Sequence, residues 1–162
     1  MALDVRLERV KSLPLAVVRR RASLAELGTV IPAACGTVWN VVRDQKVPGA
    51  GRHVCVYLDD EFNLEIGVEL AAPFAGHGAV VGSATPAGTV ATATHFGPYP
   101  GLPEVHRAIR QWCADHGHTM AGPNWDLYGH WEQAWSDDPS QIRTDVFYLL
   151  KADGDSARTV DP

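Results

Sequence analysis

HFGPYPGLPEVHRAIRQWCADHGHTMAGPNWDLYGHWEQAW, residues 95–135, decides how this chain is read. A strand end runs into the turn Gly97-Pro98. Leu102, Val105, His106, Ile109, Trp112, Cys113 and His116 then trace one face of a helix, and Gly117 stops it. Asn124-Trp125-Asp126-Leu127-Tyr128 reads as a short strand. Its period-2 alternation predicts Asp126, Tyr128 and His130 on one face and Trp125, Leu127 and Trp131 on the other. Four of the five tryptophans fall in this stretch, so the one acid of the strand sits among aromatics. Such an acid costs free energy unless a cation or hydrogen-bond donors meet it, which marks it as a candidate site.

Working outward, Thr89–Phe96 is a strand before the helix, and Arg143–Leu150 is the last strand. The first half shows the same order. Leu3–Val10 and Leu15–Arg19 read as strands joined in a hairpin at Ser12-Leu13-Pro14. A helical region follows Ser23, with Leu24, Leu27, Ile31, Cys35, Val38 and Val42 as its stripe; Pro32 places the main helix from that residue on. Arg52–Leu58 and Asn63–Leu70 are two further strands around the acidic turn Asp59-Asp60-Glu61. Ala71–Gly88, rich in Ala, Gly and Pro, joins the halves and holds one short strand near Ala79–Val81. The expectation is an α+β domain over residues 1–150: a duplicated strand-strand-helix-strand-strand unit (about 3–70 and 79–150), with an antiparallel sheet and both helices on one face. Residues 151–162 read as a flexible tail.

Composition excludes several classes. The net charge of −5 argues against a dedicated nucleic-acid binder, and Arg19-Arg20-Arg21 reads as a solvated strand edge. Three cysteines without CxxC spacing fit neither a disulfide framework nor a zinc knuckle, and they suit a reducing cytosol. No run of apolar residues is long enough to span a membrane. The seven histidines include no HExxH, and His116-x-His118 has no matching acid, so no metal or other cofactor is expected. His106 reads as a half-buried, satisfied histidine.

The run His95-Phe96-Gly97-Pro98-Tyr99, then Trp112, Gly117, Gly122-Pro123-Asn124-Trp125-Asp126-Leu127-Tyr128 and Arg143-Thr144-Asp145-Val146-Phe147-Tyr148 resembles the GyrI-like small-molecule-binding domain, a bacterial module also used as the effector-binding part of transcription activators. The resemblance covers roughly residues 3–150. It implies a pocket between the two helices over the middle of the sheet, for amphipathic, often cationic, aromatic molecules. The family's acid, usually Glu, corresponds to Asp126, one methylene shorter. The DNA-binding region of the activators has no counterpart before Leu3, which implies a stand-alone version.

Asp126 is then either a ligand-pairing acid or a structural one. Tyr128, Trp39, Tyr57, Phe96, Trp112 and Phe147 are the candidate aromatic walls, with Trp112 on the helix stripe also suited to the core. Two functions suit them: binding of a planar cationic compound for sequestration or sensing, or hydrolysis of the strained cyclopropane of DNA-alkylating natural products, as in some GyrI-like proteins. In the second, Asp126 and Tyr128 would be catalytic, holding a water and the oxygen where charge collects. A protein partner for the acidic face Asp59-Asp60-Glu61, Glu65 and Glu69 has less behind it than a solvated hairpin.

Overall fold

The computed structural model of the chain describes residues 3–152; the tail predicted over 151–162 lies almost wholly outside them. Eight strands form one antiparallel sheet: β1 (Arg6–Val10), β2 (Pro14–Arg21), β3 (His53–Tyr57), β4 (Asn63–Glu69), β5 (Val81–Ala84), β6 (Gly88–Phe96), β7 (Met120–Tyr128) and β8 (Arg143–Leu150), in the order β1-β6-β8-β7-β3-β4-β2-β5. Helices α1 (Leu27–Asp44) and α2 (Leu102–Asp115) pack on one face, and a short helix α3 (Ala134–Asp137) precedes β8. This is the duplicated strand-strand-helix-strand-strand architecture expected from the sequence, and the strand order reads the same from either end of the β7–β3 seam.

Alternation explains both layers. In β2, Ala16 and Val18 face α1 with Ile66 and Val68 of β4, while Leu15 and Val17 face the other way. Ala91, Ala93, Val146 and Tyr148 pack under Val105, Ile109 and Cys113 of α2. Neither main helix covers the back face, yet Leu15, Val17, Val54, Val56, Val90, Trp125 and Leu127 share one buried cluster there. Its members come from β2, β3, β6 and β7, and β2 and β6 have four strands between them in the sheet. The sheet therefore curls until its back face covers itself. At Gly67 the bend is tight: a Cβ there would stand 1.8 Å from the carbonyl oxygen of Ala16 on β2.

Two expectations are corrected. The chain does not open as a hairpin, because β1 pairs with β6 and β2 pairs with β4 and β5. Ser12-Leu13-Pro14 lacks the Gly or Asn that a tight hairpin turn requires. Its polar groups go to the other half instead: Leu13 N donates to Thr85 Oγ1 (2.8 Å) and Ser12 Oγ to Thr85 O (2.6 Å). The links β1–β2 (residues 11–13) and β5–β6 (85–87) have three residues each and span at most about 14 Å. Opposite edges of the sheet must lie that close, as the curl requires.

Helix α1 also does not wait for Pro32, which lies inside it. The proline removes only the donor for the carbonyl of Gly28, four residues back. Burial of Ala34, Val38 and Val42, about 1.5–3 kcal/mol for each valine, outweighs that loss. Glu26 settles the entry to the helix by accepting from Ser23 N at 2.8 Å.

Candidate ligand-binding site

Strands β3 and β7 pair at the middle of the sheet, with Cys55 opposite Asp126 and Tyr57 opposite Asn124. Helix α1 lies over β2 and β4, and α2 over β6 and β8. The central seam is left uncovered between the helices, and a cavity of about 1310 Å³ opens above it. Its floor is Tyr57, Asn124, Asp126, Tyr128 and Tyr148. On one side α1 presents Gly28, Pro32 and Gly36, spaced four apart, with Trp39 beyond them; on the other α2 presents Leu102, His106 and Arg110. Tyr99 and Trp131 stand at the mouth.

Asp126 reaches this floor because β7 cannot slip. Trp125, its neighbour, points to the back face and stacks on Phe147 (5.2 Å between centroids, 13° between planes). Moving the register by one residue would expose that indole to the cavity and bury the acid beneath the sheet. Asp126 is 2% exposed. His106 Nε2 stands 2.8 Å from Asp126 Oδ1, off the line that a hydrogen bond needs, and Oδ1 has no hydrogen-bond partner. Nδ1 of the same ring lies 2.7 Å from the Tyr148 hydroxyl, to which Arg110 Nη1 donates at 2.9 Å. A line of four polar side chains thus runs Arg110–Tyr148–His106–Asp126 along one wall.

Three phenols around the acid are held neutral. Burial pushes Tyr128 well up, and the Asp126 charge adds to it. Tyr57 moves the same way, by burial first and then by Cys55 and Asp126. Tyr148 is pushed up to about 12 by burial, against the pull of Arg110. At neutral pH all three are hydroxyl donors. Edge-to-face contacts, Tyr99 on Tyr128 (5.6 Å) and Tyr57 on His106 (6.0 Å), fix the rings of the aromatic walls against one another. At the α1 end, burial and then the nearby His130 lower the pKa of His53, which packs on Trp39 at 6.1 Å.

The structure brings together Asp126, Tyr128, Tyr57 and Trp39 of the residues singled out in the sequence. Phe96, Trp112 and Phe147 do not line the cavity. Phe147 lies on the back face because alternation along β8 gives the cavity to Tyr148. Trp112 lies over the core of α2, stacked on His116 (4.3 Å) and His118 (5.4 Å). Phe96, at the end of β6, is 62% exposed. Trp131 was expected on the face of Trp125, but β7 ends at Tyr128. The period stops there, and the indole swings to the mouth, 56% exposed and edge-on to Trp135. His106 and Arg110, one helical turn apart, are the polar residues that the sequence reading undervalued; their four-residue spacing was the available signal. Among the described residues no group of three or more His, Cys, Asp or Glu side chains converges as a metal site would require, and no helix is long and apolar enough to cross a membrane.

Comparison with known proteins agrees with this fold. Comparison with curated proteins finds no match. Among solved structures, the C-terminal domain of EcmrR is similar at 19% identity and TM-score 0.75, covering 93% of this chain and 99% of that one. SAV2435, solved bound to tetraphenylphosphonium, is similar at 9% identity and TM-score 0.60, covering 92% and 94%. A hydrolase from Listeria innocua is similar at 9% identity and TM-score 0.55, with 91% of each chain covered. At these identities the likeness is one of fold. The profile of the GyrI-like small molecule binding domain matches residues 3–151, and the chain belongs to that family.

Proposed function

We propose that the cavity between α1 and α2 binds amphipathic aromatic molecules that carry a positive charge, for sequestration or sensing. One observation carries this reading. A 2%-exposed carboxylate faces an aromatic cavity, and its Oδ1 has no hydrogen-bond partner. Leaving such a group with no aligned donor, only His106 Nε2 off the line at 2.8 Å, is costly; a ligand cation offsets that cost on binding. Flat walls from Tyr57, Tyr128 and Trp39 add cation–π attraction of about 0.5–2 kcal/mol per well-placed ring. The tetraphenylphosphonium bound by SAV2435 is a compound of this class, which makes it the natural probe. It should quench the fluorescence of Trp39 and Trp131. Asp126→Asn keeps the shape and removes the charge, and it should weaken the phosphonium by about 1–3 kcal/mol while sparing a neutral isostere. Equal loss for both ligands, or loss for neither, refutes the reading.

A second reading is favoured by the line His106–Asp126 with the neutral phenols beside it: hydrolysis of a cyclopropane in an alkylating natural product. Asp126 would hold the attacking water, and Tyr128 would donate to the oxygen where charge collects. Product in molar excess over protein distinguishes this reading from binding alone, and Asp126→Asn should then abolish turnover while binding persists.

A further inference from the structure

The approach to Asp126 is already occupied. His106 Nε2 stands 2.8 Å from Oδ1, with the two side chains 14% and 2% exposed, while Nδ1 meets the Tyr148 hydroxyl at 2.7 Å. That hydroxyl has one proton and two lone pairs, and Arg110, which can only donate, takes one lone pair. Two proton arrangements satisfy the line. In the first, Tyr148 donates to Nδ1, and the ring is neutral with its proton on Nε2. In the second, Nδ1–H donates to Tyr148, both nitrogens carry protons, and Asp126 has a cation of its own. The groups around the ring are Asp126 and Tyr128 from β7, Tyr148 from β8, Tyr57 from β3, Arg110 from α2, and Cys35 across the cavity from α1. Asp126 is the only carboxylate of this set.

We propose that His106 is the specificity-determining residue of this cavity, and that it sets the charge of the ligand Asp126 accepts. The proposal rests on the reading of the cavity as the ligand site. As an imidazolium, His106 neutralises the carboxylate, and the cavity suits an uncharged aromatic. As a neutral ring it leaves the negative charge for a ligand. A cation that enters the charged form displaces one proton from the imidazolium to solvent. Binding is then an exchange of a proton for a cation. An uncharged ligand involves no exchange.

The test is titration calorimetry of tetraphenylphosphonium and of neutral triphenylphosphine oxide, in two buffers of different ionisation heat. The range is about pH 5.5 to about pH 8.5, where imidazoles titrate. Phosphonium affinity should fall by up to about tenfold per pH unit as the ring charges, with up to one proton released per ligand, while the oxide changes less than about twofold. His106→Gln keeps a neutral donor beside Asp126. It should flatten the phosphonium profile to within about twofold and abolish proton release. His53 and His130 line the same cavity, so ring NMR titrations with and without ligand should assign the released proton to His106. Those titrations and the calorimetry of the unaltered protein decide the matter even if the variant does not fold. Phosphonium binding without proton release, release assigned to His53 or His130, or an equal slope in His106→Gln overturns this inference alone. Absence of phosphonium binding at every pH overturns the reading of the cavity and this inference with it.

Discussion

Gly36 offers a perturbation that should raise stability and lower binding together. It lies in the interior of α1, on the stripe that faces the cavity, and a Cβ built there meets no atom within 4 Å. Glycine inside a helix is less favourable than alanine by about 0.8–1 kcal/mol. Gly36→Ala should therefore stabilise the protein by about that amount, because the methyl enters open space. For a chain of this size the gain corresponds to roughly 2–4 °C in Tm. Gly36→Leu places a branched side chain in the volume a ligand would take. Forcing atoms into an occupied space costs about 1–3 kcal/mol, so tetraphenylphosphonium affinity should drop by roughly 5- to 150-fold, with no loss of Tm. Thermal unfolding without ligand and tryptophan quenching with it measure the two effects separately. A lower Tm for Gly36→Ala would mean that the stripe is packed in solution. Undiminished affinity for Gly36→Leu would place the ligand elsewhere.

The other predictions concern chemistry within the cavity and the bend beneath it. Burial pushes the Cys35 thiol up to about 11 from an ordinary 9.0, so at pH 8 its thiolate is about a hundredfold scarcer than that of an exposed cysteine. Iodoacetamide labelling followed by peptide mass spectrometry should give a rate still climbing between about pH 9 and about pH 10, and a plateau near pH 9 would refute it. The same shift adds stability that is fully present below the unfolded thiol's pKa and is lost as pH rises through about 11. Gly67→Ala sets a methyl 1.8 Å from the Ala16 carbonyl oxygen and 2.9 Å from Val17 Cα. These are backbone atoms that cannot step aside. It should lower stability by on the order of 2–3 kcal/mol in urea unfolding, and a wild-type midpoint would show that the bend is not needed.

Much of this was legible in the sequence because alternation is local. The faces of β4, β7 and the two helices follow from the spacing of Leu64, Ile66 and Val68, of Trp125 and Leu127, and of Val105, Ile109 and Cys113. Asp126 stood out for the same reason, as a charge on the inward face of a strand with aromatic neighbours. What escaped was non-local. Nothing in residues 3–19 says that β1 seeks β6, since both candidate partners are amphipathic strands. Phe147 and Tyr148 are adjacent aromatics, and only the register against Trp125 and Asn124 decides which one looks into the cavity. His106 read only as a half-buried, satisfied histidine because its partners, Asp126 and Tyr148, come from two different strands far along the chain.

The two three-residue crossings behind the sheet bear on how the cavity could adapt to a ligand. They tie each outer edge to the opposite one, and Thr85 is bonded to both Ser12 and Leu13 where they pass. Spreading the β3–β7 seam to admit a bulkier guest would work against links of only three residues each. The floor behaves as a laced frame and cannot serve as a hinge. Accommodation has to come from above, through rotamers of Trp39, Trp131 and Tyr99 and small displacements of α1. That helix meets the frame mainly through the apolar packing of Ala34, Val38 and Val42 and already lacks one backbone hydrogen bond at Pro32. Guests of different outline would then be sorted by the give of one helix, while the spacing of Asp126 from the surrounding phenols stays fixed.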